Sequence, residues 1–272
     1  MALNESFVKT VVFVGSSVPE RRLLGTGFIA AVPAGETEAD GDYAFVVTAS
    51  HVVRSSTATF VTVRSHDGEI TDLIPGDWVF HPKEDVAVAS INADPVKKYD
   101  IVAVPEKMFA DKSDHKPVLG EDLYFVGLLG QIETMGQANT PMVRTGTLGA
   151  LYQQDVPMIE PPNTRRALQG HLIDCRSFGG FSGSPCFMHL VRSTGETKNF
   201  GLKYSETYSI LLGMIGGHFD HRTSVLLPDE SGKLSIPTSA GVGVVYPVEI
   251  IRETLELALS EDDIDGVPEV SA

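Results

Sequence analysis

Three short stretches of the chain carry residue types that do nucleophilic chemistry. In VVTASHVV, residues 46–53, a run of β-forming residues ends in small side chains and then His51. In HPKEDVAVASI, residues 81–91, Asp85 opens an alternating apolar run. In GGFSGSPCF, residues 179–187, Ser182 stands among glycines just before another apolar stretch. A hydroxyl is a poor nucleophile at neutral pH and needs a base beside it. An imidazole supplies that base, provided a third, acceptor group holds it in one tautomer. Ser, His and Asp are therefore the set that acyl transfer requires, joined by geometry and not by spacing. The glycines beside Ser182 let the backbone turn tightly enough to aim two N–H groups at an oxyanion. Taken singly, each feature also has a plain reading: a polar histidine at a strand end, a glycine turn, an aspartate capping a strand start.

Such residues need a scaffold, and the sequence supplies many short strands. Phe7–Val14, Gly27–Val32, Tyr43–Ala49, Thr57–Val63, Asp85–Ile91, Leu123–Leu128, Met142–Tyr152 and Leu211–Ile215 are rich in β-branched and aromatic residues, with Gly, Pro, Asn and Asp between most of them. Short strands in close succession predict an all-β sandwich or barrel, and the length allows two β-rich halves. Segments 33–42, 129–141, 153–170 and 219–239 read as long loops or hairpins. A polar stretch near 103–120 reads as the linker between halves. One helix is expected, after Pro247, where Val248, Ile251, Leu255, Ala258 and Leu259 recur at helical spacing.

Composition closes off several classes. With 42% apolar and 21% charged residues, most of the 272-residue chain is expected to fold. No apolar run approaches the ~20 residues that span a bilayer, so no membrane association is expected. The opening MALNESFVKTVVFVGSS reads as a first strand and not as a signal peptide. A net charge of −15, with Arg165–Arg166 as the nearest basic cluster, argues against nucleic acid as a partner. Residues 260–272 are strongly acidic and read as a flexible, solvated tail, with a docking tail as the other reading. Cys175 and Cys186 could form one bridge or stand as two reduced thiols. Reduced thiols fit a cytoplasmic protein.

The motifs GTGFIA (25–30), TASHVV (48–53), EDVAVASI (84–91) and GFSGSP (180–185), in this order, resemble the trypsin/chymotrypsin-like serine peptidases. The order His, Asp, Ser fits that family, as do the spacings of 34 and 97 residues. The ending GVGVVYPVEIIRETL is closest in style to the bacterial HtrA-type branch, with no segment resembling a PDZ domain. The resemblance covers about residues 7–259. It implies a chymotrypsin-like double β-barrel with a C-terminal α-helix. Residues 1–110 would form the barrel carrying His51 and Asp85, and residues 111–259 the barrel carrying Ser182 and the helix. It implies a serine endopeptidase acting on protein or peptide substrates through an acyl-enzyme, with no cofactor and no metal, and with any regulatory partner unidentified. Ser182 would be the nucleophile, His51 the base and Asp85 the orienting carboxylate. The N–H groups of Gly180 and Ser182 would form the oxyanion hole. Gly216, Gly217 and His218 would pair with substrate, and Gly241 would wall the specificity pocket. Arg176, followed by Ser177, falls at the pocket base by the trypsin count, where it would favour acidic side chains. The other reading turns Arg176 to solvent or onto Asp174.

The chain also departs from the family. Phe181 stands where an aspartate often precedes the nucleophile, and no Ile-Val-Gly-Gly start is present. Activation by burying a new N-terminal ammonium is therefore closed to it. Ser184 replaces a common glycine, and the stretch from Gly217 to Gly241 is long enough for a hairpin overhanging the pocket. His218, Asp220 and His221 could be read as metal ligands, but a loop is the simpler reading. The competing function is a catalytically silent pseudoprotease or peptide-binding scaffold. An α/β-hydrolase fails on pattern, because residues 180–184 read Gly-Phe-Ser-Gly-Ser.

Overall fold

Val11–Ser16 reads VVFVGS, and every residue of it is buried. A strand apolar on both faces belongs at the centre of a sheet, and this one, β1, pairs with β2 (Arg22–Pro33) on one side and β4 (Thr59–Arg64) on the other. The computed structural model describes residues 5–35, 41–91, 98–111, 116–128, 140–160, 164–175, 179–196, 203–226 and 233–261. The first sheet continues through β3 (Asp42–Thr48), β5 (Ile70–Leu73), β6 (Trp78–Phe80) and β7 (Ala87–Ser90), in the order β5-β4-β1-β2-β3-β7-β6. The two-residue β8 (Val104–Pro105) runs parallel to β2 at Ala30 and Ala31.

The second sheet closes on itself. Its order is β10-β11-β14-β13-β12-β9, built from β9 (Asp122–Gly127), β10 (Met142–Glu160), β11 (Thr164–Cys175), β12 (Pro185–Glu196), β13 (Lys203–Leu226) and β14 (Lys233–Pro247). Its ladders are all antiparallel. The segments 153–170 and 219–239 are the ends of the β10–β11 and β13–β14 hairpins, paired as far as Glu160 with Thr164 and Leu226 with Lys233. One apolar core runs through both sheets, from Phe28 and Val47 to Phe187 and Val245.

Helix α1 (Ser50–Val53) is a single turn between β3 and β4, too short to show a period in the sequence. Helix α2 (Val248–Glu261) follows Pro247 as expected, burying Val248, Ile251, Leu255 and Ala258. It packs against β6 and β7 of the first sheet and β13 and β14 of the second, so it straps the two together. Arg252 fastens it further to Asp111 at 2.7 Å. Among the described residues no helix is long and apolar enough to cross a membrane.

One local expectation changes. Glu5–Thr10 is a 3-10 helix and the first strand begins only at Val11. The Thr10 hydroxyl donates to the Phe7 carbonyl, and Phe7 turns edge-on to Phe187 at 4.6 Å. The stretch 103–120, read as the linker between halves, carries β8 and a short 3-10 turn (Glu106–Met108) at its start, and the Ala110 N–H donates to Leu211 of β13. Residues 129–139 and the tail beyond 261 lie outside the described residues. Because Ile251 is fully buried on the face of α2 that meets both sheets, Ile251→Ala is expected to cost about 2–5 kcal/mol of stability in denaturant unfolding. A loss below about 1 kcal/mol would show that α2 is not part of the core.

Candidate active site

Strand β3 delivers its chain end to Ala49, whose extended backbone starts α1 and sets His51 in the helix's only turn. Val52 and Val53 fix that turn by burying their side chains in the core. Asp85 comes from the turn before β7. That turn is tied by His81: its N–H reaches the Val86 carbonyl at 2.9 Å, and its Nδ1 accepts from the N–H groups of Lys83 and Glu84. The two turns are wired together. The Ser50 N–H donates to the Asp85 carbonyl at 3.2 Å, and the His51 N–H donates to Asp85 Oδ1 at 2.8 Å.

The Asp85 side chain is only 1% exposed and accepts four hydrogen bonds. Ser50 and the His51 N–H share Oδ1. His51 Nδ1, at 2.5 Å, and the Tyr246 hydroxyl, at 3.2 Å, share Oδ2. Burial pushes the Asp85 pKa up, yet the hydrogen bonds and charge of His51, with Ser50, outweigh it and leave the carboxyl below its usual range. An ionised Asp85 can only accept, so Nδ1 of His51 carries a proton toward it, and in the neutral imidazole Nε2 is the atom that accepts.

Ser182 sits on the turn between β11 and β12. At Gly183, φ is +89°, and an added Cβ would stand 1.8 Å from the Thr26 carbonyl oxygen, so no other residue fits. The turn is held from both sheets. The Gly183 N–H donates to the Ile215 carbonyl on β13, while the Thr26 N–H of β2 donates to the Ser182 carbonyl at 3.0 Å. The Thr26 hydroxyl donates to the Gly180 carbonyl and accepts from the Leu128 N–H, each at 2.8 Å. Phe181 is fully buried, edge-on to Phe125 at 5.7 Å, with the Arg144 guanidinium 5.4 Å from its ring centre. Where an acid would need a cation, an aromatic ring supplies the anchor.

The Ser182 hydroxyl donates to the Gly216 carbonyl at 3.2 Å and makes no hydrogen bond to His51. The N–H groups of Gly180 and Ser182 have no acceptor among the described residues. Gly216 is the extra residue of a bulge, where β13 steps from Ile215 opposite Val245 to Gly217 opposite Val244. His218 follows, half-buried opposite Gly243. Gly241 lines a cleft of about 550 Å³ with Arg144, Asp174 and Cys175. That cleft is not lined by Ser182, Gly216 or Gly217. Arg176 and Ser177 lie outside the described residues.

Cys175 and Cys186 are both free and buried, and burial with the nearby Asp174 charge pushes the Cys175 thiol up to about 11. Among the described residues no cluster of three His, Cys, Asp or Glu could hold a metal ion. The side chains of Asp220 and His221 fall outside that description. Sequence reasoning missed Ser50, Thr26 and Tyr246. Thr26 lay inside the quoted GTGFIA motif, but nothing marked its hydroxyl as a link between sheets.

A family model for the trypsin-like peptidase domain matches residues 25–192, more than half of the chain. Comparison with curated proteins gives no match. Among solved structures, the apo MamO protease domain from Magnetospirillum magneticum superposes with a TM-score of 0.53 at 17% identity, covering 92% of this chain and 98% of that one. The active form of the Rv3671c protease from M. tuberculosis gives 0.52 at 17%, over 97% and 85%. An inactivated protease paralogue from the scabies mite gives 0.50 at 11%, over 96% and 99%. The likeness at these identities is one of fold, a chymotrypsin-like double β-barrel with a C-terminal helix, and fold alone does not decide activity.

Two measurements probe this wiring. Thr26→Val keeps the shape but strands the Leu128 N–H and the Gly180 carbonyl, so a loss of about 1–3 kcal/mol is expected in denaturant unfolding. An unchanged midpoint would mean that the two sheets are held by other contacts alone. Because its folded pKa is lowered, the Asp85 charge stabilises the fold above the unfolded carboxylate value of about 3.9, and that contribution fades as pH falls through the folded value. Melting temperatures of the wild type and Asp85→Asn should differ most near neutrality and converge below about pH 4. A gap independent of pH would contradict the assignment.

Proposed function

The chain belongs to the trypsin-like peptidase domain family, and on that footing we propose that it is a serine endopeptidase working through Ser182, His51 and Asp85. One observation carries the reading: the buried Asp85 holds His51 by Nδ1, at the seam where the Ser182 turn is fastened to the first sheet.

In the proposed cycle the Ser182 hydroxyl leaves the Gly216 carbonyl by rotating about its Cα–Cβ bond. It gives its proton to His51 Nε2 as Oγ bonds to the substrate carbonyl carbon. The negative oxygen so formed meets the unoccupied N–H groups of Gly180 and Ser182. As the C–N bond breaks, His51 returns the proton to the leaving amine, and an acyl-enzyme stays on Ser182. Water then repeats the sequence, giving its proton to His51 and releasing the acid. An extended substrate would lie along Gly216, Gly217 and His218 as an added strand. The same reading puts the protein in a reducing, cytoplasmic setting, which the two free thiols support.

The resting contact between the Ser182 hydroxyl and the Gly216 carbonyl favours a second reading, a silent site that binds peptide without cutting it. A carbonyl oxygen takes no proton, so a hydroxyl held there is not activated. Labelling by a fluorophosphonate separates the two, since it reports an activated hydroxyl directly.

Peptide-library cleavage is expected for the wild type, with losses on the order of 10⁶-fold in kcat for Ser182→Ala and His51→Ala. Asp85→Asn should lose about 10⁴-fold through the wrong imidazole tautomer. Near-normal cleavage by Ser182→Ala would end the assignment. The full chain should also label and cleave without N-terminal trimming, because Phe181 offers an ammonium no partner. Activity that appeared only after trimming would overturn that.

A further inference from the structure

Tyr246 ends β14 in the second barrel, yet its hydroxyl reaches Asp85 in the first. The side chain is fully buried. Its ring fills the space beside Gly216, where an added Cβ would stand 2.3 Å from the ring and 2.8 Å from the hydroxyl oxygen. The same Gly216 carbonyl accepts the Ser182 hydroxyl. A continuous path therefore runs from His51 through Asp85 and Tyr246 to Gly216 and Ser182.

The two carboxylate oxygens of Asp85 are held differently. Oδ1 has two donors from its own sheet, Ser50 and the His51 N–H. Ser50 is itself held by Arg54 at 3.1 Å. Oδ2 has the imidazole, which must tilt and gain charge during any proton transfer, and Tyr246. Without the phenol, the imidazole would be the only partner of Oδ2, and the carboxylate could follow it. Nearby Glu84 offers no substitute, since its carboxylate is engaged by the Gln169 N–H at 3.0 Å.

We propose that Tyr246 is a positioning residue: it fixes Oδ2 of Asp85 from the opposite barrel, and its ring sets the spacing between the base and the strand that borders the nucleophile. This rests on the peptidase reading above. Tyr246 is fully buried, out of reach of a substrate, so the effect belongs in kcat and not in binding.

Tyr246→Phe keeps the ring against Gly216 and removes only the donor. The expected result is a loss of about tenfold or more in kcat, the scale of one hydrogen bond to a charged group, with KM within about twofold. The low-field proton resonance of His51 Nδ1–H should move further downfield in the resting protein, because Oδ2 has lost its competing donor. An unchanged kcat overturns the proposal. So does a lower kcat with an unmoved resonance, which would mark a purely structural loss, and a thermal melt of the same sample would record it. A wild type without turnover would instead overturn the peptidase reading. The resonance would still decide for Tyr246, a shift supporting the role and no shift ending it.

Discussion

Thr26 sits where two sheets meet without sharing a strand ladder, and it is bonded on every side. Its N–H goes to Ser182, its hydroxyl lies between Gly180 and Leu128, and its carbonyl accepts from Thr48. A buried polar group must be paired or it costs stability, so these bonds fix how the β2 edge lies against the nucleophile turn. His51 and Asp85 hang on strands of the first sheet and Ser182 on a turn of the second. Their relation is only as definite as this seam. Helix α2, packed on both sheets, and the Asp111–Arg252 pair hold the same two bodies as well.

The Ser182 turn itself shows how an apolar anchor can replace an ionic one. A buried ion pair at Phe181 would require two desolvated charges with matched geometry. The ring against Phe125, with Arg144 over its face, asks for neither. The ring takes its place once the second barrel closes around it.

The His51–Asp85 contact and the glycine turn at Ser182 fall on motifs the sequence marked, because small residues, glycines and a polar residue at a strand end stand out against β-runs. The all-β class and helix α2 were legible for the same reason, since alternation and helical spacing leave local traces. What was not legible depended on distance. Tyr246 reaches Asp85 across 161 residues, and one tyrosine in a valine-rich strand gives no sign of its partner. Thr26 reads as an ordinary strand residue until the turn of Gly180 arrives beside it. Strands β5, β6 and β8 are too short to show alternation, and in Glu5–Thr10 the Phe7 ring packs on Phe187 while the Thr10 hydroxyl bonds the Phe7 carbonyl. Gly241 fitted a motif, and it lines a cleft with Asp174 and Cys175.

The position of β14 in the chain has a consequence for how the protein is made. A ribosome delivers His51 and Asp85 early, Ser182 later, and β14 with Tyr246 after all of them. The second barrel cannot close until β14, in a hairpin with β13, also pairs with the distant β11. A growing chain therefore carries His51, Asp85 and Ser182 before it holds the strand that closes the second barrel and ties Tyr246 to Asp85.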